Sequence, residues 1–310
     1  MTLQQLQYIV AVEETGQFSR AAQACFVTQP TLTTMVRKLE DELGIIIFER
    51  RTLPVRPTAE GAPLLAQARV VLREASQMKA LVKELHTGMA GTYRIGIIPT
   101  MAPYLLPMFL GRFADEHPQA HLAIDERRTS AILTGLKAGQ LDIGILAGPV
   151  DDEELEAITL FHEPFLAYLP IGHPLLKQRR ISTKDVRRLS LWVLGEGHCM
   201  RDQALTICQH PSAGGHENIV YGSGSIETLK RMVNSGSGMT LVPELSVGSE
   251  DRHVRRFSAP EPVREVVLVV RKPFVRRKAI DALVKAIRSA LPQRLRSIQA
   301  KSRIVPAVLD

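Results

Sequence analysis

Two cysteines stand nine positions apart in the stretch Gly-Glu-Gly-His-Cys-Met-Arg-Asp-Gln-Ala-Leu-Thr-Ile-Cys, residues 195–208, and the 310-residue chain has only one more, Cys25. Cys199 follows His198 and is close to Arg201. If it opens a helix, the N-terminal dipole and the neighbouring cations lower its pKa and supply a nucleophilic thiolate at neutral pH. Cys208, beside Leu205 and Ile207, faces apolar packing. On one continuous helix the two thiols lie on opposite faces, roughly 13 Å apart along the axis, whereas a disulfide needs Cα atoms within about 7 Å. Peroxide attack on Cys199 gives a sulfenic acid, and its resolution by Cys208 requires the intervening helix to break.

Three other chemistries compete for the same residues. His198, Cys199, Cys208 and His210 are zinc-type ligands, but eight residues between the cysteines is no usual finger spacing and a helix splays them apart; no metal and no cofactor is expected. Both cysteines could be inert core residues. A thiol peroxidase would use the same first step, although a DNA-binding head argues against turnover as the purpose.

The elements that must position Cys199 follow from Tyr93 onward. Apolar runs at 93–98, 121–124, 141–146, 189–194, 218–221, 239–242 and 266–270 read as strands, with helices such as 103–116 and 130–138 between them. This βαβ alternation predicts an α/β fold with parallel sheets covered by helices. A break near 147–156 and the late return at 266–270 predict two lobes joined by crossing strands, lobe I at about 91–160 and 266–296 and lobe II at about 161–265. Ligands bind beyond the carboxyl ends of such strands. There the chain carries Pro99-Thr100, Thr129-Ser130, Gly197-His198-Cys199 and Ser223-Gly224-Ser225, each opening a helix, so N–H dipoles and hydroxyls converge on one cleft suited to an anion or a small polar oxidant.

The first ninety residues are organised differently. Leu3, Leu6 and Val10 have helical spacing, and a second helix restarts at 18–22 with Ser19 as N-cap. Thr28 caps a third, with Pro30 in its first turn. Leu32, Val36, Leu39 and Leu43 form its apolar stripe, while Thr31, Thr34, Arg37 and Lys38 face outward, as a recognition helix requires. A strand at 45–48 and a return at 55–58 make a hairpin wing with Arg50 and Arg51 near its tip. Cys25 reads as a small core residue. Residues 1–58 are thus a winged helix-turn-helix. In residues 60–86, Leu64, Ala68, Val71, Ala75, Met78, Val82 and Leu85 alternate in steps of four and three, an a/d seam that predicts dimerisation through a linker region at 59–90 and a roughly palindromic operator.

Composition constrains the rest. At 45% hydrophobic and 23% charged, with three cysteines and no long apolar run, the chain reads as a soluble protein of the reducing cytoplasm, without signal peptide or membrane span. Its net charge of +7 is concentrated in residues 251–310, fifteen Lys/Arg against five Asp/Glu. That excess reads as a solvated face plus a basic tail at 297–310, so DNA binding must rest on the local pattern above.

The segment MTLQQLQYIVAVEETGQFSRAAQACFVTQPTLTTMVRKLEDELGIIIFER resembles the DNA-binding head of the LysR-type transcriptional regulators, and the resemblance extends over nearly the whole chain. It implies a periplasmic-binding-protein-like effector domain at 91–296. By that similarity Gln29, Pro30, Thr31, Thr34, Arg37 and Arg50 lie at a double-stranded DNA interface. GEGHCMRDQALTIC and IPTMAPYLLP further resemble the peroxide-sensing OxyR branch. This implies that Cys199 is the peroxidatic residue and Cys208 the resolving one, that Thr100, Thr129 and His198 hold peroxide, and that Arg264 is a cation near the thiolate. It also implies a tetrameric, non-enzymatic regulator working with RNA polymerase. The other reading is a LysR-type regulator that senses a small carboxylate or aromatic in the same cleft.

Overall fold

The computed structural model describes residues 1–50, 52–87, 89–209, 224–236, 238–248, 250–296 and 302–307. Its contacts divide the chain into two units, Met1–His86 and Thr87–Asp310.

The first unit opens with α1 (Leu3–Thr15), α2 (Phe18–Ala24) and α3 (Gln29–Leu43). Thr2 and Gln5 form a capping box at the start of α1, and Gly16 ends it at φ +64°. The buried face of α1 is Leu6, Tyr8, Ile9 and Val12; Leu3 is exposed, because the helix turns its Leu6–Ile9–Val12 side to the core. The cap of α2 is Gln17 rather than Ser19, which lies inside the helix. Thr28 caps α3 and Pro30 occupies its first turn, while Leu32, Val36 and Leu39 are buried beneath it. Leu43, the last residue, escapes that core and is exposed. Cys25, at the C-terminal cap of α2, is half-buried against the same core. The wing is shorter than the apolar run suggests: β1 (Phe48–Glu49) pairs antiparallel with β2 (Arg56–Pro57). Arg51 lies outside the described residues.

Helix α4 (Gly61–Thr87) spans 27 residues, about 40 Å. Leu65 and Ala68 are buried in the core of the first unit, with Leu64, Val71 and Leu72 packed at its edge. Further along the seam, Met78 and Val82 are 71% and 54% exposed in the single chain. The side chain of Leu85 lies outside the described residues, as does Gly88 of the linker.

The second unit contains β3 (Gly91–Ile97), α5 (Ala102–Glu116), β4 (Ala120–Glu126), α6 (Thr129–Lys137), β5 (Ile143–Ala147), β6 (Leu155–Tyr168), α7 (Thr183–Val186), β7 (Leu191–Trp192), α8 (Cys199–Cys208), α9 (Ile226–Asn234), β8 (Met239–Pro243), β9 (Val254–Arg256), β10 (Glu261–Arg271), α10 (Arg277–Ala290), α11 (Gln293–Arg296) and β11 (Ser302–Ile304). The strands run β4-β3-β5-β10-β6-β8-β7, with β9 on β6 and β11 on β10. The sheets are mixed rather than parallel throughout. Strand β3 is parallel to β4 and β5, but β10 is antiparallel to both β5 and β6, and β6 antiparallel to β8.

Strand β6, 14 residues long and absent from the sequence reading, crosses with β10 between two hydrophobic cores. Leu155, Leu160, Phe161 and Val266–Val270 belong to the first core; Phe165–Leu169 and Phe257 belong to the second. The predicted strand at 218–221, the loop at 210–215 and Ser223 lie outside the described residues.

The basic C-terminal region is a solvated face only in part, with Lys272, Arg277 and Lys278 exposed and several cations held by partners. Arg276 is 6% exposed, lies 4.1 Å from the Tyr93 ring centre and pairs with Asp142 at 3.3 Å. Arg256 is bound by Glu244 and Glu261, and Arg277 by Glu156. The tail is likewise not simply a solubilising appendage. Residues 297–301 and 308–310 lie outside the described residues, but β11 pairs parallel with Glu261–Val263, and Val305 and Ala307 beyond it are buried.

Candidate functional site

Gly197, at φ +79°, turns the chain into α8, a conformation open to glycine at little cost. A Cβ there would also stand 3.0 Å from Arg128 Nη1. His198 then adopts extended backbone as N-cap, and Cys199 is the first helical residue. Only 7% of Cys199 is exposed, and it belongs to the first core; Cys208, the last residue of α8, is 0% exposed and belongs to the second. The ten-residue helix separates them by roughly 13 Å. Both are free thiols.

Four other residues named from the sequence surround this end of α8. Thr129, the first residue of α6, directs its hydroxyl at Cys199 Sγ, 3.8 Å away. Thr100, just beyond β3, accepts from Arg264 Nη1 at 3.2 Å on its hydroxyl and from Nη2 at 3.3 Å on its carbonyl. Arg264 comes from β10, and its charge acts on the Cys199 thiol. A Cβ built on Gly224 would lie 3.6 Å from His198 Nε2, so a glycine on that side leaves room at the imidazole. Thr100, Thr129, His198, Cys199 and Arg264 are each no more than 9% exposed.

Glu163, on β6, is the residue that sequence reading missed. Its carboxylate accepts from Arg264 Nε at 2.9 Å and Nη2 at 2.7 Å, and from the Leu245 N–H at 2.8 Å. The pair is 1% and 0% exposed. The visible signal was a lone acid inside the apolar run Leu-Phe-His-Glu-Pro-Phe-Leu, where a charge requires a buried partner.

The electrostatics differ from the sequence expectation. Burial pushes the Cys199 thiol above its ordinary value; the Thr129 hydroxyl, the Arg264 charge and the Met200 N–H pull in the opposite direction without cancelling it. Arg201 pairs with Glu196 at 3.5 Å. Burial, followed by the Arg128 charge, holds the His198 pKa below its ordinary value and keeps the ring neutral at pH 7. Burial alone pushes Cys208 up to about 12. The arrangement offers a sheltered thiol beside a hydroxyl, a neutral imidazole and a guanidinium, which together can activate an oxygen–oxygen bond toward sulfur. Of the four zinc-type ligands weighed from the sequence, His210 lies outside the described residues, and Cys199 and Cys208 stand at opposite ends of α8.

A cavity of about 910 Å³ is lined by Tyr104, Leu166, Lys177, Arg179, Arg255 and Arg256 among others, and by none of the Cys199 group.

In the first unit, Gln29, Pro30, Thr31, Thr34 and Arg37 of α3 are exposed, while Leu32, Val36 and Leu39 are buried. The Thr28 hydroxyl accepts from the Thr31 N–H at 3.4 Å and shares a 2.8 Å contact with its hydroxyl. Arg50 is placed differently from the expected wing tip. It pairs with the largely buried Glu40 and lies 5.2 Å above the Phe18 ring, while Glu40 also accepts from the Ile47 N–H at 2.9 Å. It therefore braces the wing against α2 and α3.

Family models match at both ends: bacterial regulatory helix-turn-helix protein, lysR family, over residues 3–62, and LysR substrate binding domain over residues 86–292. A hydrogen peroxide-inducible genes activator from Dickeya chrysanthemi is 36% identical over 308 residues, 97% of this chain and 100% of that protein. A full-length OxyR variant from Pseudomonas aeruginosa aligns with a TM-score of 0.76 at 38% identity, over 93% of this chain and 98% of that one. A hydrogen-peroxide-bound OxyR mutant from Corynebacterium glutamicum aligns with a TM-score of 0.62 at 28% identity, over 93% and 92% of the two chains.

Proposed function

Since the chain belongs to the LysR family of transcription regulators and, within it, to the hydrogen peroxide-inducible activators, we propose that it senses peroxide at Cys199 and reports it to DNA by forming a Cys199–Cys208 disulfide. The observation that carries this reading is the position of the two thiols. One has the Thr129 hydroxyl at 3.8 Å and the charge of Arg264, itself bonded to Thr100, acting on it, and the other is held at the far end of α8 in a different core.

In the first step the Cys199 thiolate attacks one peroxide oxygen. The oxygen–oxygen bond breaks, and the departing hydroxide takes up a proton to leave as water. Thr129 and neutral His198 are suited to donate hydrogen bonds to the oxygens, and Arg264 to stabilise the sulfur's negative charge. In the second step the Cys208 thiolate attacks the Cys199 sulfenic sulfur, again expelling hydroxide that becomes water. Two electrons pass from the thiols to peroxide, and α8 must unwind for the sulfurs to meet.

Gln29, Pro30, Thr31, Thr34 and Arg37 contact operator DNA, with Arg50 holding the wing in register. The protein acts in the cytoplasm as a tetramer that engages RNA polymerase, and it consumes peroxide as a signal rather than as a substrate for turnover. Mass spectrometry under non-reducing conditions after one equivalent of peroxide tests the switch. A 199–208 linkage is expected in the wild type, while Cys199→Ser abolishes the peroxide response and keeps operator affinity. A full peroxide response in Cys199→Ser refutes the proposal.

A further inference from the structure

Gln203 lies midway along α8 and is 0% exposed. Its side-chain nitrogen donates to the Val305 carbonyl at 2.8 Å, 102 residues away in sequence. Its Oε1 has no hydrogen-bond partner among the described residues, so the amide is oriented by that one bond. The segment it grips is well seated. Ser302–Ile304 pairs with Glu261–Val263 on β10, immediately before Arg264. The Val305 N–H donates to the Val263 carbonyl at 2.8 Å, and the Ala307 N–H to the Gly148 carbonyl at 3.1 Å. Val305 is buried in the same core as Cys208, and Ala307 in the same core as Cys199. Residues 302–307 therefore run from one core to the other and hold the middle of the helix that the switch has to unwind.

Resting on the reading that Cys199 and Cys208 bridge, we propose that Gln203 is a positioning residue for the disulfide step and residues 302–307 a strap that holds α8 in its reduced form and is expelled when the bridge closes. Unwinding α8 carries the Gln203 amide away and leaves the Val305 carbonyl buried without a donor, which is costlier than never having made the bond. Withdrawing Cys208 also opens the core that seats Val305. The coupling is reciprocal, so a seated strap disfavours the bridge and a formed bridge loosens the strap. The chemistry needs no further reactant, because peroxide supplies the oxidising equivalent and the two thiols supply both electrons.

The test uses the full-length reduced protein, Gln203→Leu, and a chain ending at Lys301, each mixed with one equivalent of hydrogen peroxide. Dimedone trapping follows sulfenic acid at Cys199, and non-reducing peptide mapping follows the 199–208 bond. In both variants the first step is expected to change by less than about twofold and the bond-forming step to accelerate about tenfold, as losing one buried hydrogen bond from the starting state implies. In the oxidised wild type the Val305 and Ala307 amides are expected to lose hydrogen-exchange protection. Should the shortened chain fail to fold, Gln203→Leu and the exchange experiment decide. Bond formation no faster in Gln203→Leu, or amides that stay protected in the bridged form, overturns the strap while leaving the switch standing. A wild type that forms no 199–208 bond overturns the switch itself, and the strap with it.

Discussion

Cys199 has a hydroxyl directed at its sulfur, from Thr129, and a nearby cation whose carboxylate partner is already in place, Glu163. Burial outweighs both and keeps the thiol protonated at neutral pH. The reacting species is the thiolate, so the sign of the pH effect is fixed. Its fraction rises about tenfold per pH unit below the pKa, and burial holds that pKa above the ordinary thiol range. The rate of sulfenic acid formation is therefore expected to climb from pH 6.5 to pH 9 without levelling off, measured in buffers of constant ionic strength. A plateau reached near pH 7 sinks this account. Burial, followed by the Arg128 charge, shifts the His198 titration downward, toward the acid end of that window. Thr129→Val should keep the shape of the profile and lower it about tenfold, as loss of a hydrogen bond to the charged sulfur implies.

Among the elements, the helix-turn-helix holds together through its ends. Gly16 closes α1 at φ +64°, its carbonyl accepts from the Val55 N–H at 2.8 Å, and a Cβ there would sit 2.8 Å from Pro54 Cβ. Gly16→Ala thus strains the backbone and pushes the wing loop outward. A loss of about 1–3 kcal/mol is expected in denaturant unfolding, with operator affinity falling in parallel. An unchanged midpoint would show that the loop yields freely.

How much of these elements could be read in advance depended on the range of the interactions that fix them. Thr28, Pro30, Leu32, Val36 and Leu39 define α3 within three turns, and their pattern is local. Strand β6 carries an acid and a proline, Glu163 and Pro164, inside its apolar run, and only the fold gives them places: Pro164 pairs with Val263 and Glu163 with Arg264. Val305 and Ala307 are ordinary residues in a basic tail until β10 gives them a place to bind. The acidity expected of Cys199 failed for the same reason: its helix position is local information, while its burial is created by β5, β6 and β10.

At the scale of the whole molecule, the exposed part of the α4 seam implies a partner. Met78 and Val82 are large, apolar and uncovered in the single chain, on a helix about 40 Å long. A second copy of α4 covers them in the proposed assembly. Met78→Asp with Val82→Asp is expected to break the proposed tetramer into smaller species in sedimentation velocity and to lower operator affinity at least about a hundredfold, since two half-sites are then read independently. A double variant that sediments as the wild type removes α4 as the dimer seam.

In the proposed switch, the division of the two thiols between separate cores also bears on how the signal ends. A bridge between them is formed at the expense of packing on both sides, so restoring the packing helps to pull the sulfurs apart again. Small cellular thiols then meet a bond already under tension from the fold, in contrast to the relaxed cross-links that make secreted proteins durable. In that proposed switch, once oxidant is gone, the protein's own preference for its starting shape assists the reductant.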